Sequence, residues 1–450
     1  MKKITNISLL LLIGLSSVLT ACSPSEEKDI FDKSAALRLE ETITNYKSIL
    51  ADKGGKWAMQ YYTTTDESGY MYLMTFNKNG SVTISGENKY ITKLTNVDSN
   101  TPTYGSETSL WDVIGDNGPV LTFNTYNTYF HLFADPEDIP DTETNEQGYG
   151  HNGDYEFDLM KYSGDTIYLQ GKKHGANIIM TRVASDVNDQ TYLGEVTALT
   201  DSFFNAKIPQ VFVNLPGGYR HVIVNGASLT PAFYPETGDR ITETTNPYSI
   251  IITHDGLNFQ NAVTLTDSID GKKYTFQYFI RQADGSLLCT DNNGITITAD
   301  HLNRVFTNQT LVWRVDNKTY SGNFATLYDA FNSELKKNFS NSTINYLQFS
   351  YNKTTDSYLF TYNIKRRNGT LTCTLNYTVS LSGDDVVNLS FDGTGDKNAL
   401  TVLSKSSSLQ TLINEISKGL KVSASSVLAP VRIKLTSTSN DADYFYADIQ

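Results

Sequence analysis

Acidic residues and a histidine are concentrated between positions 135 and 158, and their side chains are candidates for chemistry. The segment holds Asp135, Glu137, Asp138, Asp141, Glu143, Glu146, His151, Asp154, Glu156 and Asp158. Carboxylates beside an imidazole can act as general acid and base, and oxygen ligands on a loop can hold Ca²⁺. The alternating Asp/Asn register of a calcium loop is missing, so a solvated acidic loop is favoured. A hydrolytic site in this segment, using His151, stays open as the alternative.

The remaining motifs predict no known chemistry. The six histidines are scattered at positions 131, 151, 174, 221, 254 and 301. No two have the short helical spacing that would direct both at one metal ion. A Gly-x-Ser-x-Gly nucleophile turn is missing, and the Gly-Lys-Lys runs at 171–173 and 271–273 lack the rest of a phosphate-binding loop. We therefore predict no catalytic residue, metal site or cofactor site.

Two of the three cysteines lie in runs where apolar residues alternate. Cys289 follows Leu287 and Leu288, and Cys373 lies between Leu371 and Leu375. Neither has a motif relationship to a histidine or an acid that would activate its thiol. Buried free thiols are the favoured interpretation, and a disulfide between the two is the alternative.

The third cysteine, Cys22, ends an export signal. Two lysines precede an apolar run over 7–19, which is shorter than the about 20 residues that span a bilayer. The residues Leu19-Thr20-Ala21-Cys22 resemble the lipobox of bacterial lipoproteins, in which the cysteine thiol receives a diacylglycerol. We predict a signal peptide over 1–21 and lipidation at Cys22, which would anchor the chain to a membrane through its acyl chains, palmitate among them.

A polar stretch over 22–31 follows and is predicted to be a flexible acidic tether. Glu26, Glu27 and Asp29 lie soon after Cys22. Acidic residues at this place resemble the surface-export signal of Bacteroidetes lipoproteins, which favours a location on the outer face of the outer membrane. A plain solvated linker is the alternative interpretation.

Composition limits the partners and the fold. The formal net charge is −13, and no basic stripe is present that would release counterions from a nucleic acid, so we expect no nucleic acid partner. With 28 Tyr and 21 Phe among many Thr, Ser and Asn, the chain favours pleated sheets over helices. Domains of roughly 100–200 residues are usual, so two or three domains are expected.

Hydrophobic periodicity predicts a mainly β fold of antiparallel meanders, forming curved sheets or partly closed lipocalin-like barrels, with one or two short α-helices in each region. Strands are predicted at 57–62, 70–76, 81–84, 119–126, 129–133, 155–160, 166–170, 177–183, 211–215, 220–224, 248–253, 274–281, 294–298, 344–351, 358–365, 431–436 and 444–449. Helices are predicted near 34–50 and at 326–339 and 407–420, and Asn-Gly turns at 79–80 and 368–369.

The predicted domains are an N-terminal helix plus β-meander over 32–185 and a C-terminal β-rich region over 190–450, joined by a linker near 186–189. A division of the second region into two subdomains near 313–325 is the alternative to one unit. The order of elements in 34–84 recurs near 326–369, either as a weak internal repeat or as a chance recurrence of common hairpins.

An aromatic stripe in the N-terminal region has two interpretations. It comprises Tyr61, Tyr62, Tyr70, Tyr72, Tyr126 and Tyr129. Tyrosine rings can stack on sugar rings or anchor protein interfaces, and they also pack within ordinary sheet cores. Core packing is the favoured interpretation.

Several segments resemble one known family. They are 31–36, 55–57, 118–123, 131–136, 153–157, 171–175 and 180–182. These segments resemble the Bacteroidetes lipoprotein family called domain of unknown function 4302, over most of 22–185 and more loosely over the remainder. The family has no established activity, so the resemblance implies no catalytic residue. It implies a setting as an accessory component beside SusC/SusD-like nutrient-uptake systems.

Three functional hypotheses follow. The leading one is a surface-anchored binding or accessory lipoprotein that captures a glycan or peptide, with an outer-membrane transporter as its partner. The second is a hydrolase with an unrecognised site, and the third is a structural or adhesive surface protein. The absence of a known catalytic motif ranks the binding hypothesis first.

Lipidation at Cys22 is testable in cells. Labelled palmitate should be incorporated into the wild-type protein, and Cys22→Ser should abolish the label and release the protein from the envelope fraction, because the acyl chains are the anchor. Cys289→Ser is the matched control and should leave labelling unchanged. A Cys22→Ser protein that keeps the label, or that still fractionates with envelopes, would contradict the prediction.

Overall fold

The structure is a computed structural model that describes residues 33–63, 68–96, 98–135, 151–203, 207, 210–224, 231–235, 248–355 and 357–450. It confirms the predicted mainly β fold. Antiparallel strands form two curved sheets and one closed barrel, here called the N-terminal sheet, the middle sheet and the barrel. Cys22, the signal peptide over 1–21, the tether over 22–31 and most of the acidic segment lie outside the described residues.

The N-terminal sheet has nine strands in the order β4-β3-β2-β1-β9-β8-β7-β6-β5. They are β1 Lys56–Tyr61, β2 Tyr70–Phe76, β3 Ser81–Asn88, β4 Thr103–Leu110, β5 Asp112–Gly115, β6 Pro119–Thr122, β7 Glu156–Ser163, β8 Thr166–Gly171 and β9 Asn177–Arg182.

The middle sheet has eight strands in the order β12-β11-β10-β17-β16-β15-β14-β13. They are β10 Val211–Asn214, β11 Arg220–Val224, β12 Ala232–Pro235, β13 Ile250–Ile252, β14 Gly256–Thr266, β15 Lys273–Arg281, β16 Leu287–Cys289 and β17 Thr296–Ala299.

The barrel closes because its first strand pairs with its last. Its strands are β18 Val312–Val315, β19 Thr343–Asn352, β20 Ser357–Arg366, β21 Gly369–Ser382, β22 Val386–Gly395, β23 Leu420–Ala424, β24 Arg432–Ser437 and β25 Tyr444–Ile449. Apolar side chains fill its interior, and the void beside Phe324 and Phe349 measures about 10 Å³, at the lower limit for one water molecule.

Short helices cover the sheets. They are α1 Ala35–Ala51, α2 Lys89–Lys93, α3 Asp189–Phe203, α4 Leu302–Phe306, α5 Gly322–Asn338, α6 Lys397–Leu403 and α7 Ser407–Ile416. None of the helices in the described part of the chain is long and apolar enough to cross a membrane.

Strand β1 is buried on both of its faces. Trp57, Met59 and Tyr61 belong to the core between the N-terminal sheet and α1, whereas Ala58 and Tyr62 belong to the core shared with α3 and the middle sheet. Successive side chains of a strand point to opposite faces, so one strand can serve two cores only in an internal layer. The N-terminal sheet is therefore the middle layer, between α1 and the middle sheet.

The C-terminal end of α1 is fixed by side chains of the N-terminal sheet. The Trp57 Nε1 donates a hydrogen bond to the Leu50 carbonyl at 2.9 Å. The Arg182 guanidinium lies 4.1 Å from the centre of the Trp57 ring and donates to the carbonyls of Ile49 and Asp52. The last carbonyls of a helix have no partner within it, and a cation there complements the helix dipole.

Helix α3 was not predicted; it begins at Asp189, where the segment interpreted as a linker ends. At its first residue, Asp189 accepts hydrogen bonds from the Lys56 Nζ at 2.7 Å and the Ser85 hydroxyl at 2.8 Å. Because Lys56 is buried, this ion pair attaches the start of α3 to the N-terminal sheet.

The strand predicted at 129–133 was wrong. Residues 131–133 form a 3₁₀ helix. The Asn127 side chain accepts hydrogen bonds from the backbone N–H groups of Tyr129 and Phe130, and the Asn127 N–H donates to His131 Nδ1. Asparagine favours such local turns over a strand because its side chain reaches the neighbouring backbone.

Helix α3 also contacts the middle sheet, through His254. The His254 Nε2 lies 2.9 Å from Glu195 of α3, its Nδ1 lies 3.1 Å from Asp255, and its ring stacks on Tyr192 with centroids 4.8 Å apart. Burial disfavours the imidazolium, but the hydrogen bonds with Asp255 and Glu195 outweigh it and raise the pKa of His254 above its ordinary value of 6.5.

This contact makes stability depend on pH. A raised pKa in the folded state means that the imidazolium contributes stability below pH 6.5 and that this contribution is lost as pH rises through the folded pKa. Urea unfolding should show the wild type more stable than His254→Gln near pH 6, by less than about 1 kcal/mol because the side chain is partly exposed, with a smaller difference at pH 8.

Removing a partner of His254 supplies the control. In the wild-type background, Glu195→Gln should reduce the pH dependence of the free energy of unfolding. In the His254→Gln background, the same substitution should leave that pH dependence unchanged. A difference between wild type and His254→Gln that grows with pH would contradict the assignment.

Candidate functional site

A cavity of about 260 Å³ lies between the N-terminal sheet and the middle sheet. Its walls come from β1, β8 and β9 on one side and from β14 and β15 on the other. They are formed by Gln60, Tyr62, Tyr168, Leu169, Asn177, Ile178, Ile179, Phe259, Gln260, Asn261, Ala262, Gln277 and Tyr278. Ligand pockets commonly occupy such a position between packed layers and measure roughly 300–1,000 Å³, so this one suits a small ligand.

A β-bulge in β14 forms one wall of the cavity. The register with β15 shifts between Asn258 and Val263, and residues 259–262 leave the regular ladder. The Gln277 Nε2 holds the bulge by donating hydrogen bonds to the carbonyls of Phe259 and Gln260, each at 3.1 Å. Bulges bend a strand and redirect its side chains, and they are enriched beside functional sites.

A polar contact joins the two sheets beside the cavity. The Asn258 Nδ2 of β14 donates to the Gln60 Oε1 of β1 at 3.0 Å. Gln60 is buried on the face of β1 that packs against the middle sheet, where its neighbour Ala58 is part of an apolar core. An amide at this position therefore replaces apolar packing and makes the interface locally polar.

Two buried polar atoms of the cavity lining lack a hydrogen-bond partner in the structure. They are the Tyr62 hydroxyl and the Gln260 Oε1. Tyr62 is 3% exposed and Gln260 is 7% exposed. A buried polar group without a partner costs about 1–3 kcal/mol, so such groups are rare unless a bound molecule satisfies them. Together with the cavity beside them, these two atoms make this place the candidate binding site.

Three tyrosines line the cavity, namely Tyr62, Tyr168 and Tyr278. Burial raises the pKa of Tyr62 well above its usual range, and the nearby Tyr278 raises it further. Burial, followed by the neighbouring Tyr168 and then Asp291, raises the pKa of Tyr278. Tyr62 and Tyr278 therefore stay neutral hydroxyls at physiological pH, each able both to donate and to accept a hydrogen bond.

The side chains of the lining are suited to hydrogen bonding with a ligand. No residue of the described lining carries a formal charge, and its polar side chains are amides and phenols. A nucleophile with an adjacent base, or a pair of carboxylates, would be needed for hydrolysis. The arrangement can bind and orient a neutral molecule.

Of the predicted acidic segment, Asp154 holds a structural turn, Glu156 and Asp158 lie in β7, and His151 is buried beside the rings of Tyr90 and Phe133. Asp154 is buried, and its carboxylate accepts hydrogen bonds from the backbone N–H groups of Lys173 and His174. Gly171 is required beside it, because a Cβ there would lie 2.1 Å from the Asp154 Oδ2. Asp154 thus holds the β8–β9 turn, whereas Glu137, Asp138, Asp141, Glu143 and Glu146 lie outside the described residues.

The histidines are separated in the structure. His131 is buried and its pKa is lowered, first by burial. His221 bonds to the Thr266 carbonyl, His174 lies 3.8 Å from Asp154, and His301 lies 3.4 Å from Asp384. Within the residues that the structure describes, no group of three or more His, Cys, Asp or Glu side chains is placed to hold a metal ion.

Both internal cysteines are buried free thiols, in agreement with the favoured interpretation. Burial, followed by a hydrogen bond to Asp291, raises the pKa of Cys289 to about 11. Burial, followed by the charge of Asp396, raises the pKa of Cys373 to about 12. Since the thiolate is the reactive form, both protonated thiols have low reactivity as nucleophiles.

The aromatic stripe divides between core and cavity. Tyr61 and Tyr72 are fully buried, and their hydroxyls donate to the carbonyls of Asp154 and Tyr129. Tyr126 is 56% exposed and lies away from the cavity lining. Tyr62 alone of the six lines the cavity. Gln60, Gln260 and Gln277 were missed, because buried amides on facing sheets leave no local pattern in the sequence.

Sequence comparison places this cavity within a known domain. A family model described as Domain of unknown function (DUF4302) matches residues 27–283, more than half of the chain. The chain belongs to this family. The DUF4302 match includes all the residues that line the cavity and ends before the barrel begins at Val312.

Other comparisons add no argument. None of the curated proteins matches the chain. Among solved structures, the β subunit of a Streptococcus pyogenes DNA polymerase is 9% identical, with 89% of this chain and 91% of that chain covered and a TM-score of 0.13. The DNA polymerase III β subunit of Thermotoga maritima is 11% identical, with 91% and 96% covered and a TM-score of 0.13. These scores are too low to support a shared fold or function.

The bulge that forms the cavity wall is testable through Gln277. Gln277→Leu removes the donor to two bulge carbonyls and should lower the free energy of unfolding by about 1–3 kcal/mol. Hydrogen exchange should accelerate at residues 259–262. Thr275→Val on the same strand is the control, because it removes an exposed hydroxyl pair with Thr264 and should cost less than about 1 kcal/mol. Equal effects of the two variants would contradict the role of Gln277.

Proposed function

We propose that this DUF4302 protein is a lipid-anchored binding component on the outer-membrane surface that captures a nutrient ligand, either a glycan or a peptide. The observation that carries the proposal is the intersheet cavity, in which the Tyr62 hydroxyl and the Gln260 Oε1 are buried without partners. A ligand that bonds to these atoms would restore the hydrogen bonds that they lack, which favours binding at this place.

The location rests on the N-terminal sequence. An export signal, Cys22 in a lipobox-like motif and an acidic tether together support attachment to the bilayer by acyl chains, with the folded body in water. A tethered binding protein raises the local concentration of its ligand at the membrane. An outer-membrane transporter of the SusC/SusD-like kind is the expected partner, because a captured nutrient must then cross the membrane.

The lining favours binding over catalysis. Its neutral amides and phenols supply hydrogen bonds and stacking surfaces, and the carboxylate of Asp154 is engaged with the β8–β9 turn. The cavity is also small enough to enclose a ligand from several sides. These features suit a protein that holds its ligand and passes it on.

Blocking the cavity tests the proposal. The full chain, purified in detergent, should bind at least one ligand on glycan and peptide arrays, and Ala262→Trp should abolish that binding because the new indole fills the cavity. Ala262 is exposed on the bulge, so the fold should tolerate the change.

Ala283→Trp is the matched control, at an exposed alanine in the β15–β16 turn of the same sheet. It should bind as the wild type does. No binding above background on either array, or equal binding by Ala262→Trp, would contradict the proposal.

A further inference from the structure

Apart from the bulge at 259–262, the backbone around the cavity belongs to internal strands of the two sheets. Strands β1, β8, β9, β14 and β15 each have a hydrogen-bonded neighbour on both sides. A peptide that adds to a sheet needs an open edge, where backbone N–H and C=O groups are free. The cavity lies between sheet faces and offers side chains instead, so its ligand is recognised through functional groups other than an extended backbone.

The two atoms without partners indicate which kind of ligand group would satisfy them. The Gln260 Oε1 can only accept a hydrogen bond, whereas the Tyr62 hydroxyl can donate or accept. A ligand hydroxyl can donate to the Gln260 oxygen and accept from the Tyr62 hydroxyl. Neighbouring amides of Asn177 and Asn261 line the same space and also pair well with hydroxyl groups.

The neutrality of the lining restricts the ligand further. A charge enters a buried site only with a compensating partner, since the cost of removing it from water is otherwise large. The described lining carries no such partner. A ligand group that reaches the buried end of the cavity is therefore expected to be uncharged.

Two tyrosine rings lie at the more exposed part of the lining. Tyr168 is 39% exposed and Tyr278 is half-buried, whereas Tyr62 and Gln260 are at the buried end. Aromatic rings present an apolar face, and the C–H face of a sugar ring is its natural complement. The buried amide and phenol groups can bond to the hydroxyls of a sugar ring, and the aromatic rings nearer to solvent can pack against its C–H face. The lining is therefore complementary to a sugar ring.

We propose that the cavity binds the terminal unit of an uncharged saccharide, with ring hydroxyls bonded to Tyr62 and Gln260 and a sugar face against Tyr168 or Tyr278. This inference rests on the proposed capture function and narrows its ligand class from a glycan or peptide to a neutral glycan. A saccharide longer than the cavity extends past the tyrosines into solvent.

The test compares three classes of probe on the full chain in detergent: neutral oligosaccharides, oligosaccharides with uronic or sialic acid units, and uncharged peptides. Neutral oligosaccharides should bind. Tyr62→Phe and Gln260→Met should each weaken that binding about tenfold, because each removes one hydrogen bond made by the ligand. Neither variant should lower the melting temperature, since each removes a polar atom that lacks a partner in the free protein.

Tyr377→Phe is the matched control, because it removes another buried hydroxyl without a partner, in the barrel and away from the cavity. It should leave saccharide affinity unchanged. Preferred binding of acidic oligosaccharides or peptides, or neutral binding that both cavity variants leave intact, overturns this inference while the capture function stands. No binding by any of the three classes overturns the capture function as well.

Discussion

The two-sided burial of β1 is the constraint on which the rest of the structure depends. Its odd-numbered side chains pack under α1 and its even-numbered ones against the middle sheet, so the strand belongs to two cores at once. Any shift of register by one residue would exchange the two sets, placing Trp57 where Ala58 fits. The ion pair between Lys56 and Asp189 fixes the same strand to α3. The position of the cavity follows from this alternation, because Gln60 is the polar side chain among those of β1 that face the middle sheet.

Local turn chemistry made much of the fold predictable. The strands predicted at 70–76, 220–224 and 444–449 agree with β2, β11 and β25 residue for residue, and the Asn79-Gly80 and Asn368-Gly369 hairpins were also predicted. Gly80 and Gly369 have positive φ, as such tight turns require. Helix α3 was missed because its contacts with the two sheets come from residues distant in sequence. The 3₁₀ helix at 131–133 was missed because one asparagine side chain overrides the strand propensity of its neighbours.

The candidate site was much less predictable, for a physical reason. Its walls unite Gln60, Asn177 and Gln260, which are far apart in the chain and meet only after two sheets pack face to face. A bulge such as that at 259–262 has no fixed sequence signature, since it depends on a partner such as Gln277 across the ladder. Tyr62 was found through its membership of the aromatic stripe, but its burial separates it from the exposed Tyr126. Residue type left core packing and recognition both open, and tertiary packing decided which of these tyrosines lines the cavity.

The bulge in β14 leaves part of the cavity wall outside both cores. Asn261 and Ala262 are exposed, stand outside the regular ladder and belong to neither core, while the opposite wall is made of strands that also hold the protein together. Substitutions at Asn261 and Ala262 can therefore alter the shape of the cavity without disturbing the packing of either sheet. One wall of the cavity can therefore be varied at two positions, whereas the opposite wall is constrained by the demands of folding.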